Sequence, residues 1–388
     1  MKILYHHRTQ AQDGQAIHIR SLMDAFQGEG HQLREVALVE RSADAPPPKD
    51  GKGEEKKEGW NWIGKIPRFA RELAEYAYTV PARGKLLAAA REFKPDFFYE
   101  RYAFGNAAGV QAAQRLSKPI VLEVNSPMVL ELSKTRGLSF PRIARQMEDS
   151  IFKRATRVAV VTEVLGEMLV ELGVDADRIL VTPNGVHPEL YTNPDPARAR
   201  RDLGLAEESG LVLGFVGYYR DWHRLDLVIE SLNDSALRDA QLVLIGAGPA
   251  EEELRAVAAR VAVTDRVHFA GTRKHTEIPG LLPAFDIALV PAINPYASPL
   301  KLHEYMAAAL AVIAPDQPNL REVLENGKSA ALVPPGDADA LRQALVHLAT
   351  QPGLRTRLGA NAKRTIEERD LTWAGNARRV VQAVEDLA

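Results

Sequence analysis

The chain has 388 residues, 46% of them hydrophobic and 26% charged, an ordinary composition for a globular protein. At roughly 150 residues per domain, this length indicates two or three domains. The formal net charge of −2 provides no global field that attracts nucleic acid, so we expect no nucleic-acid partner. Cysteine is absent, which excludes disulfides, thiolate metal sites and cysteine nucleophiles and fits a reducing compartment.

Targeting signals are not evident in the sequence. The N-terminus turns polar after five residues, whereas a secretory signal needs an apolar stretch of about 7–15 residues. The longest apolar run, 306–314, is shorter than the roughly 18 residues that span a bilayer. We therefore expect a cytoplasmic protein.

Two series of short apolar, β-rich runs alternate with helical patterns along the chain. The first series is 2–5, 33–39, 97–100, 120–124, 157–161 and 179–183, and the second is 211–216, 241–245, 267–270, 287–291, 311–314 and 330–333. Amphipathic stretches lie between them, such as 17–28, 251–261 and 338–350. This alternation predicts an α/β protein with two doubly wound, Rossmann-like parallel-sheet domains. Because ligands of such sheets bind outside the carboxyl ends of the strands, we expect the domains to face each other across a cleft.

The domain boundaries follow from the same pattern. We predict an N-terminal domain over 1–190, a C-terminal domain over 191–365, and a helix in 366–388 that packs back on the N-terminal domain. Segment 42–59 contains three prolines and a run of charged residues without an apolar anchor, which predicts a mobile loop. Segment 60–69 mixes Trp, Ile and Phe with Lys and Arg. This mixture fits an interfacial helix that meets a membrane or a lipid-linked acceptor, or aromatic residues that cover the first domain's core.

The sequence Ser-Pro-Leu-Lys-Leu-His-Glu stands at the start of a predicted helix over 300–309. Ser298 is the expected N-cap, and Pro299 suits the first turn because it has no N–H group. The free backbone N–H groups that follow, beginning at Leu300, form an anion site with the helix dipole. This segment therefore favours a bound phosphate.

Two side chains of this helix extend the same hypothesis. Lys301 places a cation where the helix dipole disfavours one, which indicates an anionic partner. Glu304 lies three residues further on the same face and suits the hydroxyl groups of a ribose. The alternative is an ordinary capped helix with a solvated lysine.

Several segments, in the same order along the chain, resemble the donor-binding signature of glycosyltransferase family 4. They are Val181-Thr-Pro-Asn-Gly-Val186, Gly214-Phe-Val-Gly217, Ile245-Gly-Ala-Gly-Pro249 with Phe269-Ala-Gly271, and the segment from Asp286 through Ser298 and Glu304 to Asp316. In the first half, Pro95-Asp-Phe-Phe-Tyr-Glu-Arg-Tyr102 and Val121-Leu-Glu-Val-Asn-Ser-Pro127 look like a branch found in bacterial polysaccharide assembly.

The resemblance implies a GT-B fold and a retaining reaction without a metal ion or other cofactor. A UDP- or GDP-linked sugar would be held by the C-terminal domain and moved to a glycan or lipid-linked acceptor, bound by the N-terminal domain, in surface or exopolysaccharide assembly. The protein would be cytoplasmic, with a peripheral contact at the inner face of the plasma membrane as one interpretation. Two alternatives remain, a GT-B sugar-nucleotide epimerase and a non-catalytic GT-B binding partner.

The resemblance also assigns donor-side residues. Arg220, His223 and Lys301 would neutralise the departing diphosphate and form the catalytic group, with Arg224 as an alternative source of the guanidinium. His223 stands where the family has a lysine, in the loop after Gly217, which is itself assigned to the donor. Gly14 and Gln15 belong to a turn where the family places glycines that approach the donor phosphate.

The acceptor side is assigned to Arg101, Tyr102, Glu123, Asn125 and His18, for which salt-bridge or packing roles are the alternatives. Asn125 stands where the family has a histidine, and asparagine cannot act as a general base.

Two further positions depart from the family pattern. Tyr296 replaces the first of the family's two glutamates, which leaves the contact with the donor sugar unassigned. Ala309 and Leu310 follow the helix where a glycine is expected, which weakens the C-cap but not the chemistry.

Overall fold

The computed structural model describes residues 1–9, 14–37, 67–206 and 210–387. The chain forms two compact units: unit 1 is Met1–Pro183 with Trp373–Ala388, and unit 2 is Asn184–Thr372. The chain passes between the units after residues 183 and 372, and the predicted domain boundaries after residues 190 and 365 each lie seven residues away. The predicted loop 42–59 and residues 60–66 of the aromatic segment fall outside the described residues.

Unit 1 contains, over its described residues, a six-stranded parallel sheet in the order β2-β1-β3-β4-β5-β6. The strands are β1 (Lys2–His7), β2 (Gln32–Ala37), β3 (Phe97–Arg101), β4 (Ile120–Val124), β5 (Arg157–Val160) and β6 (Ile179–Val181). The helices are α1 (Gly14–Gly28), α2 (Arg68–Ala77), α3 (Thr79–Phe93), α4 (Ala108–Arg115), α5 (Met128–Thr135), α6 (Pro141–Arg154) and α7 (Glu163–Glu171).

The central strands of unit 1 are apolar runs because helices cover both faces of a parallel sheet. All five residues of β4 are buried, and among them is the charged residue Glu123. The register of β3 and β4 pairs Arg101 with Glu123 at the carboxyl ends of the two strands. The sheet therefore brings two predicted acceptor-side residues together.

Unit 2 contains, in its described part, a second six-stranded parallel sheet in the order β12-β11-β10-β7-β8-β9. The strands are β7 (Val212–Val216), β8 (Gln241–Ile245), β9 (Val267–Gly271), β10 (Ile287–Leu289), β11 (Ala311–Pro315) and β12 (Ala331–Val333). The helices are α8 (Pro196–Asp202), α9 (Leu225–Ser231), α10 (Glu251–Arg260), α11 (Ile278–Leu281), α12 (Leu300–Ala307), α13 (Pro318–Arg321), α14 (Ala338–Thr350) and α15 (Pro352–Glu368).

All twelve predicted strands are confirmed, with shifts of a few residues at their ends. The largest extension is in β1, which continues to His7 although both terminal residues are histidines. The imidazoles are buried against carboxylates, with His6 Nδ1 2.5 Å from Glu100 Oε1 and His7 Nε2 2.8 Å from Glu35 Oε1. Partners from β3 and β2 thus allow polar residues in a buried strand.

The chain returns to unit 1 through α16 (Trp373–Glu385), which packs against α1. The predicted helix over 366–388 begins too early, because residues 366–368 end α15 and Ile366 is buried in the core of unit 2. Asp370, with a φ of 48°, lies in the turn between the two helices. No helix within the described ranges combines the length and the apolar character needed to cross a membrane.

Candidate active site

The start of α12 is organised by an asparagine from the 181–186 segment. The backbone N–H of Asn184 donates to Ser298 Oγ at 3.2 Å, and its side-chain amide donates to the Ser298 carbonyl. The expectation that Ser298 caps the helix is therefore wrong, because its hydroxyl already serves Asn184. The helix begins at Leu300 with Pro299 in the N-cap position, and no side chain caps its first turn.

Lys301 projects from this turn toward β7. Its Nζ lies 3.7 Å from the centroid of the Phe215 ring, and partial burial lowers the pKa of the amine to about 7. A Cβ atom at Gly217 would lie 2.7 Å from Nζ, and Gly217 has a φ of 146°. The backbone conformation therefore favours glycine at 217, and the absence of a Cβ atom leaves room for the amine beside it.

His223 is packed into the same region. It is 6% exposed, and its ring centroid lies 3.9 Å from that of Trp222 and 5.1 Å from that of Phe215. Burial, followed by the charges of Lys301 and Arg220, lowers the pKa of His223 to about 3. The imidazole is therefore neutral at neutral pH, and the positive charge in this region belongs to Lys301 and Arg220.

The two candidate arginines of this loop differ in their partners. The Arg224 guanidinium donates to both carboxylate oxygens of Asp226, at 3.1 Å from Nε to Oδ1 and from Nη2 to Oδ2. Arg220 is exposed and lies over the Tyr218 ring at 4.7 Å, with no ion pair among the described residues. Arg220 is thus the guanidinium available to a ligand.

Glu304 is 7% exposed and has a histidine partner that the sequence did not reveal. His275 Nε2 lies 2.5 Å from Glu304 Oε1. The Tyr191 hydroxyl is buried nearby, and its pKa is raised by burial and then by the negative charge of Glu304. The carboxylate is therefore oriented by His275 and lies close to the half-buried Lys301 on the same helix.

The loop before α12 is held by another asparagine. The Asn319 side-chain amide donates to the carbonyls of Asn294 and Ala297, at 3.2 and 2.7 Å, and Asn319 is 2% exposed. Tyr296 lies between these two anchors and is half-buried. The segment that departs from the family pattern is therefore fixed by a buried side chain from α13.

Unit 1 contains a cavity of about 560 Å³ beside the carboxyl ends of β3 and β4. Its lining is Arg8, Thr9, Gln15, Glu75, Arg101, Tyr102, Ala103, Phe104, Asn125, Ser126, Met128, Glu131, Leu132 and Arg136. Three of these residues are arginines and two are glutamates. Glu75 lies 3.5 Å from both Arg8 and Arg136, so one carboxylate is shared between two guanidinium groups.

Glu123 supports this cavity from behind. It is 1% exposed and accepts a hydrogen bond from the Tyr99 hydroxyl at 2.9 Å, with shorter contacts from Arg101 and Asn125. Although burial opposes ionisation, nearby His18 and Arg101 hold the pKa of Glu123 well below its usual range. The buried carboxylate thereby fixes the two side chains that reach the cavity, Arg101 and Asn125.

Comparison with known families identifies the class of protein. A model described as "Glycosyltransferase Family 4" matches residues 12–190, and one described as "Glycosyl transferases group 1" matches residues 210–351. Together the two models span well over half of the chain. The chain belongs to the family 4 glycosyltransferases.

Individual relatives agree with this assignment. The glycosyltransferase is 28% identical over 311 residues to a D-inositol 3-phosphate glycosyltransferase of Stackebrandtia nassauensis, over 75% of this chain and 68% of the relative. The HepE protein of Anabaena, solved in complex with UDP, is similar over the full length of both chains with a TM-score of 0.73 and 17% identity. A glycosyltransferase from Rickettsia africae gives a TM-score of 0.76 at 14% identity, over 99% of this chain and 98% of the other. The fold of this glycosyltransferase is GT-B, and the protein is an enzyme.

The structure divides the predicted donor-side residues between the units. Gly217, Arg220, His223 and Lys301 gather in unit 2, with Ser298, Pro299, Leu300 and Glu304 on or beside α12. Gly14 and Gln15 lie in unit 1, where Gly14 begins α1 and Gln15 lines the cavity. Residues 10–13 of the predicted turn fall outside the described residues.

The predicted acceptor-side residues all lie in unit 1, but not all reach the cavity. Arg101, Tyr102 and Asn125 line it, although the Tyr102 hydroxyl donates to Glu148 at 2.8 Å. Glu123 lies behind Arg101, and His18 packs against Trp373 with ring centroids 4.8 Å apart. His18 Nε2 also lies 3.4 Å from Glu123 Oε1, so His18 has both a packing contact and an ion-pair contact.

Sequence reasoning missed residues whose partners are distant in sequence. Asn184 lies within the motif 181–186, which the family resemblance pointed out. Nothing in the sequence indicated its contact with Ser298. His275, Asn319, Arg8 and Arg136 stand in no motif that was recognised. Their contacts depend on which loops meet at the ends of the strands, and no local pattern encodes this.

Proposed function

We propose that this glycosyltransferase moves a sugar from a UDP-sugar to a hydroxyl group of a glycan or lipid-linked acceptor. The proposed reaction retains the configuration at the anomeric carbon and serves surface or exopolysaccharide assembly. The observation that carries the proposal is the half-buried Lys301 ammonium beside Gly217, at the uncapped start of α12. An amine whose pKa is lowered by burial gains most from an anionic ligand. The diphosphate of a nucleotide-sugar is such a ligand.

The donor site supports the chemistry as follows. The bond between the anomeric carbon and the β-phosphate oxygen breaks, and its electron pair remains on that oxygen. Lys301 and Arg220 stabilise the developing negative charge, while neutral His223 donates a hydrogen bond. These side chains supply positive charge that a metal ion would otherwise provide, so we propose a reaction without a metal cofactor.

The acceptor oxygen then bonds to the anomeric carbon on the face that the diphosphate leaves. Its proton passes to the leaving phosphate oxygen, so no enzyme base is required. This route suits a site in which Asn125, which cannot accept the proton as a base, stands where the family has a histidine. The same-face attack accounts for the proposed retention.

The choice of UDP is supported by the similar HepE structures, which contain UDP and UDP-glucose. At 17% identity they share the fold alone. GDP is the alternative nucleotide, and direct binding distinguishes the two.

The cavity in unit 1 supports an acceptor that carries a phosphate or another anionic group. Arg8, Arg101 and Arg136 exceed in number the glutamates that line the cavity with them. Guanidinium groups bind phosphate through paired hydrogen bonds. The name of the Stackebrandtia relative also specifies a phosphorylated inositol.

We also propose a cytoplasmic location with a peripheral membrane contact, which is supported by α2. Phe69 and Leu73 are 52% and 48% exposed, one helical turn apart, with Arg68 and Arg71 on the same helix. Exposed apolar residues beside arginines suit an anionic lipid surface. A lipid-linked acceptor would be reached from this surface.

The proposal is tested by binding and then by transfer. UDP, GDP and a panel of their sugars are screened by thermal shift, and the binding donor is incubated with phosphorylated and lipid-linked acceptors in EDTA. We expect UDP to raise Tm, transfer to require an acceptor, and Lys301→Ala to lower kcat by about 100-fold or more. Products are identified by mass spectrometry and NMR.

The matched control is Arg136→Gln in the unit 1 cavity. We expect it to raise the KM of the acceptor while the Kd of UDP is unchanged, because Arg136 lines the cavity and has a half-exposed side chain. Unchanged turnover in Lys301→Ala would disprove the diphosphate assignment. Conversion of the donor in the absence of acceptor would show an epimerase instead, and binding without any transfer a non-catalytic partner.

A further inference from the structure

We infer that His275 is a positioning residue that holds one oxygen of Glu304, so that the other oxygen receives the ribose hydroxyl groups of the donor nucleotide. The inference rests on the proposed function, since it assumes that a nucleotide binds at α12. It assigns a role in donor recognition to a residue outside every recognised motif.

The contact that carries the inference joins two separate elements. His275 begins a short 3₁₀ turn, 275–277, soon after β9 ends at Gly271. Its Nε2 lies 2.5 Å from Glu304 Oε1, and His275 is the hydrogen-bond partner of that carboxylate among the described residues. A carboxylate that is 7% exposed requires such a partner, because burial of an unpaired charge is costly.

The surroundings of Glu304 explain why its orientation matters. Lys301 lies one turn earlier on the same helix. Burial lowers the pKa of Lys301, and the negative charge of Glu304 partly offsets this by raising it. Tyr191 and Tyr305 are buried titratable groups whose pKa values are raised by burial and by the negative charge of Glu304. A carboxylate released from His275 would turn toward Lys301 and neutralise the ammonium that is proposed to bind the diphosphate. His275 therefore keeps the ribose contact and the phosphate contact separate.

This geometry predicts a specific binding defect. A hydrogen bond to a charged group is worth about 10-fold or more in affinity, so wild-type enzyme should prefer UDP over 2′,3′-dideoxy-UDP by at least that factor. In His275→Ala the preference should fall toward one, because the carboxylate no longer faces the ribose. The Kd of UDP should rise more than the Kd of the dideoxy nucleotide.

The experiment is isothermal titration calorimetry of the full-length protein with both nucleotides. The variants are His275→Ala, Glu304→Ala and the double variant, with His347→Ala on the exposed face of α14 as the matched control. We expect Glu304→Ala to lose the preference, the double variant to match it, and His347→Ala to behave as wild type. His275→Asn, which is polar but too short to reach Glu304, replaces His275→Ala if that variant does not fold.

The outcomes separate the two proposals. If wild-type enzyme binds neither nucleotide, the proposed function is wrong and the inference is wrong with it. If wild type prefers UDP and His275→Ala keeps the full preference, the inference is overturned while the proposed function stands. A loss of preference in His275→Ala that Glu304→Ala reproduces supports the inference.

Discussion

At the scale of single residues, Lys301 shows both what a sequence can predict and what it cannot. Its position in the first turn of a helix, against the dipole, predicts an anionic partner from sequence alone. The lowered pKa could not be predicted, because it depends on burial against Phe215, which comes from a strand 86 positions earlier in the chain. The same holds for His223, whose neutrality follows from a packed environment.

The pKa of Lys301 predicts that nucleotide binding takes up a proton. With a pKa of about 7 in the free protein, the amine is mostly neutral at pH 8. A diphosphate beside it raises the pKa, so binding at pH 8 should take up a proton, approaching one per site. Calorimetric titration of UDP in buffers of different ionisation enthalpy measures this number directly.

The control for this prediction is Lys301→Arg. Arginine stays protonated at all working pH values, so the variant should bind UDP without the proton uptake at pH 8. Equal uptake in wild type and Lys301→Arg would show that another group takes up the proton.

At the scale of elements, the strands were predictable, whereas the N-cap and the last residue of the helix at the site were not. Apolar runs of four to seven residues identify buried parallel strands because both faces are covered. The helix begins at Leu300 as predicted, but its N-cap is Pro299 and not Ser298, because Ser298, a good N-cap in isolation, bonds instead to Asn184. Tertiary contacts of this kind override local capping preferences.

The end of α12 carries a stability prediction. Ala309, which stands where the family has a glycine, has a φ of 55° and therefore adopts the left-handed conformation. That conformation costs an L-residue about 1 kcal/mol, so Ala309→Gly should raise the free energy of unfolding by roughly that amount. Thermal or urea unfolding of the purified variant measures it, and activity should not change.

The comparison for Ala309→Gly is Ala308→Gly, one position earlier. Ala308 has a φ of −75°, so glycine brings no relief there and its greater freedom in the unfolded chain should lower stability. If both variants are equally destabilised, the strain at Ala309 is not real.

At the scale of the whole molecule, unit 1 is discontinuous in sequence and depends on its returning helix. The apolar side of α16 is buried, with Trp373 3% exposed and Val380 fully buried. The amphipathic pattern predicted a C-terminal helix but not its first residue, because the turn at Asp370 is set by a positive φ in a non-glycine residue. The contact between α16 and α1 joins residues that are far apart in sequence, so a local sequence pattern does not predict it.

Trp373→Ala tests how strongly α16 supports unit 1. Replacement of a buried tryptophan by alanine typically costs 3–5 kcal/mol, and we expect a loss of about that size in urea unfolding followed by circular dichroism. The Kd of UDP should change far less than stability, because of the assigned donor residues only Gly14 and Gln15 belong to unit 1. Leu387→Ala, at a position that is 40% exposed, should change stability by less than about 0.5 kcal/mol.

The discontinuity of unit 1 also sets an order of events during protein synthesis. Unit 2 is a single stretch of chain, 184–372, and can complete its fold as soon as that stretch has left the ribosome. Unit 1 has to wait for α16, which at 5–20 residues per second is roughly 10–40 s after its first 183 residues are made. Until then the side of α1 that α16 covers, including His18, is open to solvent. The nascent enzyme is therefore exposed to chaperones and to aggregation mainly while unit 2 is still being synthesised.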